Sequence, residues 1–139
     1  RHFPMTNLYK RDLWDWPGVH AARDLYRMAG CGPEDVDVVE MYDMFAPVVL
    51  YGLEAYGFCK RGEAGARVCA GWIDGPRAEL PTNTHGGSLS EAYIHGFNHI
   101  LEGVRQIRGT STAQVPDCQA TLVTGASGVA TSAMVLRGE

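Results

Sequence analysis

The chain has no excess of positive charge, no long apolar run and no paired cysteines, and each absence removes a class of function. Lysine and arginine number 12 against 16 acidic residues, a formal net charge of -4, whereas nucleic-acid binders present a basic face. No stretch approaches the roughly 20 apolar residues of a membrane-spanning helix. Cys31, Cys59, Cys69 and Cys118 show no CxxC spacing. They support neither a zinc site nor a disulfide framework and read as reduced thiols of a cytoplasmic protein. No Lys-Ser/Thr pair follows the turn from Gly125 to Gly128, which argues against phosphate binding. The start, Arg1-His2-Phe3-Pro4, carries neither an initiator Met nor a signal-peptide pattern and reads as the interior of a longer chain.

What is present is globular. The 139 residues are 45% hydrophobic and 20% charged, enough for one domain with a true core. After an irregular opening over residues 1–17, a helix is expected from Val19 to Ala29, stopped by Gly30. The β-branched run from Val36 to Met41 predicts a buried strand. Asp43 would cap a second helix reaching Gly57, with Phe45, Val48, Val49, Gly52, Leu53 and Tyr56 as its apolar stripe. From Lys60 to Pro81 the chain is Gly-rich, with strand-like pieces around Val68 and Trp72. Ser88 and Glu91 form a capping-box pattern that predicts a third helix from Leu89 to Arg108, burying Phe97, Ile100, Leu101 and Val104. Cys118–Val123 and Val129–Leu136 read as two antiparallel strands. The order helix, strand, helix, helix, strand, strand predicts an α/β fold with a thin mixed sheet packed by helices.

Three loops fall where strands end or helices begin, the usual place for a ligand crevice in α/β folds: residues 40–45, residues 83–93 and residues 123–128. Taken by spacing alone, Tyr42 is a tyrosine at a strand end with its hydroxyl satisfied by backbone. Tyr93 lies four residues before Phe97 and extends the core stripe, and Gly125 to Gly128 is a hairpin turn. His95 and His99 are spaced i, i+4, with His85 before them. Three imidazoles suit zinc, yet no HExxH glutamate intervenes, and no metal site is assigned.

The order of motifs resembles the C-terminal half of the thiolase superfamily, in particular the sterol-carrier-protein type of thiolase and its thiolase-like lipid-transfer relatives. The likeness runs over residues 18–139 and implies a layered α/β/α domain lacking part of its surroundings. Tyr42-Asp43-Met44-Phe45 stands where that family has His-Asp-Cys-Phe. Asn83-Thr84-His85-Gly86-Gly87 matches its Asn-x-x-Gly-Gly segment. Ala92-Tyr93-Ile94 replaces Gly-His-Pro, and Val123-Thr124-Gly125 replaces Cys-x-Gly. The resemblance therefore puts tyrosines at both oxyanion positions and a valine at the proton-shuttling cysteine. That pattern is similar to the thiolase-like aldolases of steroid side-chain degradation, which cleave a β-hydroxyacyl-CoA by a retro-aldol reaction. It implies Tyr42 and Tyr93 as catalytic groups with the Gly125 N–H as a backbone donor, and Asn83, His85, Gly86 and Gly87 as substrate-binding residues. No covalent cofactor is implied, and coenzyme A enters only within the substrate thioester. The implied partners are an acyl-CoA, an N-terminal thiolase half, a second copy in a homodimer and an OB-fold/zinc-ribbon protein. A lipid- or sterol-transfer protein, or an acyl-CoA acyltransferase, is the alternative reading.

Overall fold

The computed structural model describes residues 16–125 and 131–138. The expected irregular opening (but for its last two residues) and the turn at residues 126–128 lie outside them. The first helix, α1 (Pro17–Ala29), begins on a proline, whose missing N–H costs nothing at a first turn. It ends on Gly30 at φ 62°, a left-handed stop that favours glycine. After a 3₁₀ turn at Pro33–Asp35 comes β1, Val38–Glu40. It is followed by α2 (Ala46–Ala55), α3 (Ala64–Cys69), α4 (Phe97–Arg108), β2 (Ala120–Thr124) and β3 (Ala133–Arg137).

The sheet order is β1-β2-β3, with β1 parallel to β2 and β2 antiparallel to β3. The mixed sheet agrees with the sequence reading. On the free edge of β1, Val39 pairs with Thr82. There Val39 N–H donates to Pro81 O at 2.9 Å and Asn83 N–H to Val39 O at 2.8 Å. Side chains alternate along extended chain, so Val39 of β1 and Met41 just after it share one face, and Val38 and Glu40 the other. The first face is apolar: Val39, Met41 and Leu122 pack with Ala22, Leu53 and Tyr56 from α1 and α2. Contact there is close enough that a Cβ on Gly52 would lie 2.2 Å from Met41 Sδ. The second face is covered by α4, and a Cβ on Gly103 would stand 3.0 Å from Val123 Cγ2 and 3.2 Å from Thr121 Cγ2. Helices on both faces make the layered α/β/α arrangement.

Four local expectations are corrected. Asp43 caps nothing, because α2 starts three residues later behind Phe45, with no side-chain cap. The strand-like pieces around Val68 and Trp72 are a short helix and a turn, with the Arg67 guanidinium 4.8 Å over the Trp72 ring. The third expected helix begins at Phe97, not Leu89. His95 (φ 53°) and Gly96 (φ 85°) are consecutive left-handed residues, which no right-handed helix accommodates. The buried face of α4 is Asn98, His99, Glu102, Gly103 and Gln106, while Phe97 is 64% and Leu101 48% exposed. That helix turns its polar stripe to the sheet because Glu40 stands there, fully buried and in need of partners.

Candidate active site

The site forms where β1 and β2 end and the irregular segment 83–96 folds over them. Tyr42 leaves the end of β1, and its N–H donates to Thr124 Oγ1 at 3.1 Å, carrying the β1–β2 pairing one step further. Its ring turns toward α4, 6.0 Å from that of His99 and 6.3 Å from that of Tyr93. The hydroxyls of Tyr42 and Tyr93 are hydrogen-bonded to each other. Two residues 51 positions apart thus bring their phenols together. They differ in setting: Tyr42 is buried and Tyr93 is 56% exposed. Burial pushes the Tyr42 hydroxyl up to about 12, and the Tyr93 hydrogen bond and the nearby Tyr93 and Asp43 add to it. Tyr93 therefore does not extend a core stripe, and Tyr42 satisfies its hydroxyl with a side chain rather than backbone.

Closing the segment on Tyr42 needs glycine at two points. A Cβ on Gly96 would lie 2.8 Å from Tyr42 Cδ2, and one on Gly87 would lie 2.2 Å from Asp43 Oδ2. Asp43 fills the space left by Gly87, with Oδ1 accepting from Ser88 N–H at 2.8 Å and Oδ2 from Leu89 N–H at 3.3 Å. The Ser88 hydroxyl pairs with His99 Nε2 at 3.0 Å, and His99 Nε2 also lies 3.2 Å from Asp43 Oδ1. Ser88 and Asp43 are thus joined to each other rather than capping helices.

Behind the tyrosines lies a buried ionic cluster. Glu40 Oε2 is 2.9 Å from His85 Nδ1 and 3.6 Å from His99 Nδ1, and Glu40 Oε1 accepts from Thr84 N–H at 3.1 Å. Burial alone would raise the Glu40 carboxyl, but the close His85 and His99 rings and the Thr84 hydrogen bonds outweigh it and hold it below its usual range. Burial would likewise lower His85, and the Glu40 contact reverses that, so His85 is raised. Thr84 Oγ1 sits 2.8 Å from Glu102 Oε1 and accepts from Gln106 Nε2 at 2.9 Å, extending the cluster along α4. Glu40, His85 and His99 each present one ligand atom within 4.8 Å of the others. Glu40 Oε2, His85 Nδ1 and His99 Nδ1 lie within ion-pair distance, yet none of these three buried atoms has a hydrogen-bond partner among the described residues. His95, the other member of the i, i+4 pair, is exposed and stacks edge-on with Tyr93 at 4.9 Å.

The remaining expected residues divide. Asn83 (φ 51°) mimics a strand partner, accepting from Met41 N–H at 2.7 Å and donating to Met41 O at 3.0 Å. Its amide and the His85 ring are therefore occupied within the protein, and Gly86 and Gly87, at φ 97° and 73°, serve the turn. The Gly125 N–H donates to Ser132 O at 2.7 Å. That bond engages it in the β2–β3 connection. Val123 is buried in β2 and offers no proton. Sequence reasoning missed Glu40 and misassigned Asp43 and Ser88. The available signal was a carboxylate set inside a β-branched strand and another directly after a strand-end tyrosine. Asp43 and Asn83 also border an apolar cavity of about 420 Å³ walled by Val49, Leu50, Val68 and Ile73.

Comparison with known proteins now places this geometry. The family model of the thiolase C-terminal domain-like group matches residues 6–136. A 17-hydroxy-3-oxo-4-pregnene-20-carboxyl-CoA lyase of Mycobacterium tuberculosis is 45% identical over 135 residues, covering 96% of this chain and 35% of the relative. A steroid side-chain-cleaving aldolase of Thermomonospora curvata is 45% identical over 134 residues, covering 95% of this chain and 34% of the relative. The solved structure of an Ltp2-ChsH2(DUF35) aldolase superposes with a TM-score of 0.89 at 42% identity, over 94% of this chain and 34% of that one. The chain spans about a third of the length of the relatives it matches. With the family model matched over nearly the whole chain and the mixed sheet in agreement, the chain belongs to the thiolase C-terminal domain-like family.

Proposed function

We propose that this chain is the C-terminal part of a carbon–carbon lyase that cleaves a β-hydroxyacyl-CoA by a retro-aldol reaction, with a steroid or similarly bulky acyl group. The observation that carries the reading is the hydrogen-bonded pair Tyr42–Tyr93, built on a strand end where no thiol stands at position 123. In such a cleavage a base takes the β-hydroxyl proton and the Cα–Cβ bond breaks. The β carbon becomes a ketone, and the bond's electrons form a thioester enolate that is protonated at Cα. No acyl-enzyme is needed. Tyr42, buried and firmly protonated, suits the donor to the enolate oxygen; Tyr93, the phenol that reaches solvent, is assigned the base. On binding, each hydroxyl exchanges its partner for a substrate oxygen. Asn83, His85, Gly86 and Gly87 hold the shape of the site that receives the substrate.

The thiolase fold supports an N-terminal half, a homodimer and a small OB-fold/zinc-ribbon partner, and the name of the similar solved structure, which couples two components, supports the last. Cytoplasmic residence is supported by four free cysteines; no helix among the described residues is long and apolar enough to cross a membrane. The test is turnover by the full-length protein with its partner on a tertiary β-hydroxyacyl-CoA, followed as release of a ketone and a shortened acyl-CoA. Tyr42→Phe and Tyr93→Phe should each lose at least about a hundredfold, the scale of one lost oxyanion donor. Near-full activity in both refutes the assignment. The 139-residue chain alone should show no turnover.

A further inference from the structure

Asp43 has no part in the bond changes just described, yet it is the group on which the two halves of the site converge. It follows Tyr42 directly, and its carboxylate holds the backbone of the segment that carries Tyr93. Between Gly87 and Gly96 that segment has no helix or strand. Its own backbone bonds are few, Ser90 N–H to Gly87 O and Phe97 N–H to Ile94 O, both at 3.2 Å. Further anchors are the Ser88 and Leu89 N–H groups, which donate to the Asp43 carboxylate at 2.8 and 3.3 Å. A third comes from α4, where His99 Nε2 is within reach of both Asp43 and the Ser88 hydroxyl. Gly87 is the space that makes this approach possible.

We propose that Asp43 is a positioning residue of the two-tyrosine site, clamping the Ser88–Leu89 backbone so that the Tyr93 hydroxyl meets that of Tyr42. This rests on the lyase reading above. A carboxylate suits the task because it accepts two adjacent N–H groups at once, one on each oxygen. Asparagine keeps the shape but offers one acceptor and turns an N–H₂ toward a donor. Glutamate has no room beside Gly87. Asp43 also sets a negative charge next to Tyr42, one of the causes of that hydroxyl's raised value. The other titratable groups facing the pair are Tyr93 and His95 from the segment and His99 from α4, with Glu40 and His85 behind His99.

The experiment compares Asp43→Asn, Gly87→Ala, Tyr42→Phe and Tyr93→Phe in the full-length protein, by kcat, KM and pH profile, with thermal unfolding alongside. Asp43→Asn should lower kcat at least about thirtyfold, leave KM within about threefold, and move the alkaline limb of kcat/KM to lower pH as Tyr42 loses its charged neighbour. Gly87→Ala displaces the carboxylate without removing it. It should lower kcat with the limb nearly in place. A folded Asp43→Asn enzyme with kcat within threefold of normal overturns the proposal, as does a loss of kcat with an unmoved limb. If Asp43→Asn fails to fold, Gly87→Ala decides: unchanged kcat there overturns it as well. Should both Tyr→Phe variants be fully active, the lyase assignment has failed. If they are inactive while Asp43→Asn is normal, only the clamp has.

Discussion

Val39, Met41 and Leu122 leave one side of the sheet and meet carbon from α1 and α2; Glu40 leaves the other side and meets two imidazoles and a threonine. The strands are the same on both sides. What differs is the kind of restraint. Apolar contact is non-directional and rewards filled volume, so the α1/α2 side supplies stability without dictating where any one group points. Hydrogen bonds and ion pairs demand distance and angle. The α4 side uses them in a chain from Glu102 through Thr84, Glu40 and His99 to Asp43. The tyrosine pair stands at the end of that chain, where a displacement of about an ångström already damages chemistry.

Breaking the polar side should produce the largest effect on folding. Glu40→Leu leaves His85 and His99 buried without their carboxylate, and loss of one member of a buried charge pair costs about 3–5 kcal/mol. Denaturant titration of the full-length protein should show that loss with turnover abolished, and a change under 1 kcal/mol would mean the cluster is not a unit. Leu53→Ala on the apolar side removes a fully buried side chain and should cost about 2–5 kcal/mol. The comparison predicts a different signature there: kcat per folded molecule stays within about twofold.

Protonation sharpens the contrast, because the carboxylate–imidazole pair lies on the α4 side. Glu40 is held low, so its stabilisation is present above the unfolded value of about 4.3 and lost as pH falls through its folded one. His85 is held high, so its stabilisation is full below about 6.5 and lost as pH rises through its folded value. Together they define a window from about pH 4.3 to 6.5 in which the pair contributes fully. The difference in melting temperature between the natural protein and His85→Asn should be greatest there and shrink on both flanks. The difference for Leu53→Ala should stay flat, and a flat profile for His85→Asn as well would remove the ion pair from the account.

The two sides were also unequally legible in the sequence. Periodicity found α1, the buried part of α2 and the strands of the mixed sheet, because an apolar face repeats at the period of its element. The same rule failed on α4. Phe97, Ile100, Leu101 and Val104 make a convincing apolar stripe, yet the helix buries His99, Glu102 and Gln106. Local pattern records which face is oily and not what waits on the sheet. The capping-box pattern of Ser88 and Glu91 misled in a related way, since Ser88 is taken by Asp43, 45 residues distant. Tyr42 and Tyr93 were found as a pair through motif order, because no spacing rule joins residues 51 positions apart. Asp43 was visible only as a cap. Its role arises from Gly87, which lets a carboxylate occupy the place of a side chain.

The outer stripe of α4 gives the smallest and most specific prediction. Phe97 and Leu101 are the residues that pattern would have buried, and in this chain they face outward. Surface substitutions clear of a packed core change stability by about 0.5 kcal/mol or less, so Phe97→Ser and Leu101→Ser should leave the unfolding midpoint of the 139-residue chain almost unmoved. They should also reduce its self-association, measured by light scattering, since exposed apolar surface drives it. His99→Ser, on the same helix but turned toward the sheet, should instead lower the midpoint, because Glu40, Asp43 and Ser88 all lose a partner. Equal effects from the two faces would mean that α4 is held by its apolar stripe after all, and that the polar cluster follows from its packing rather than directing it.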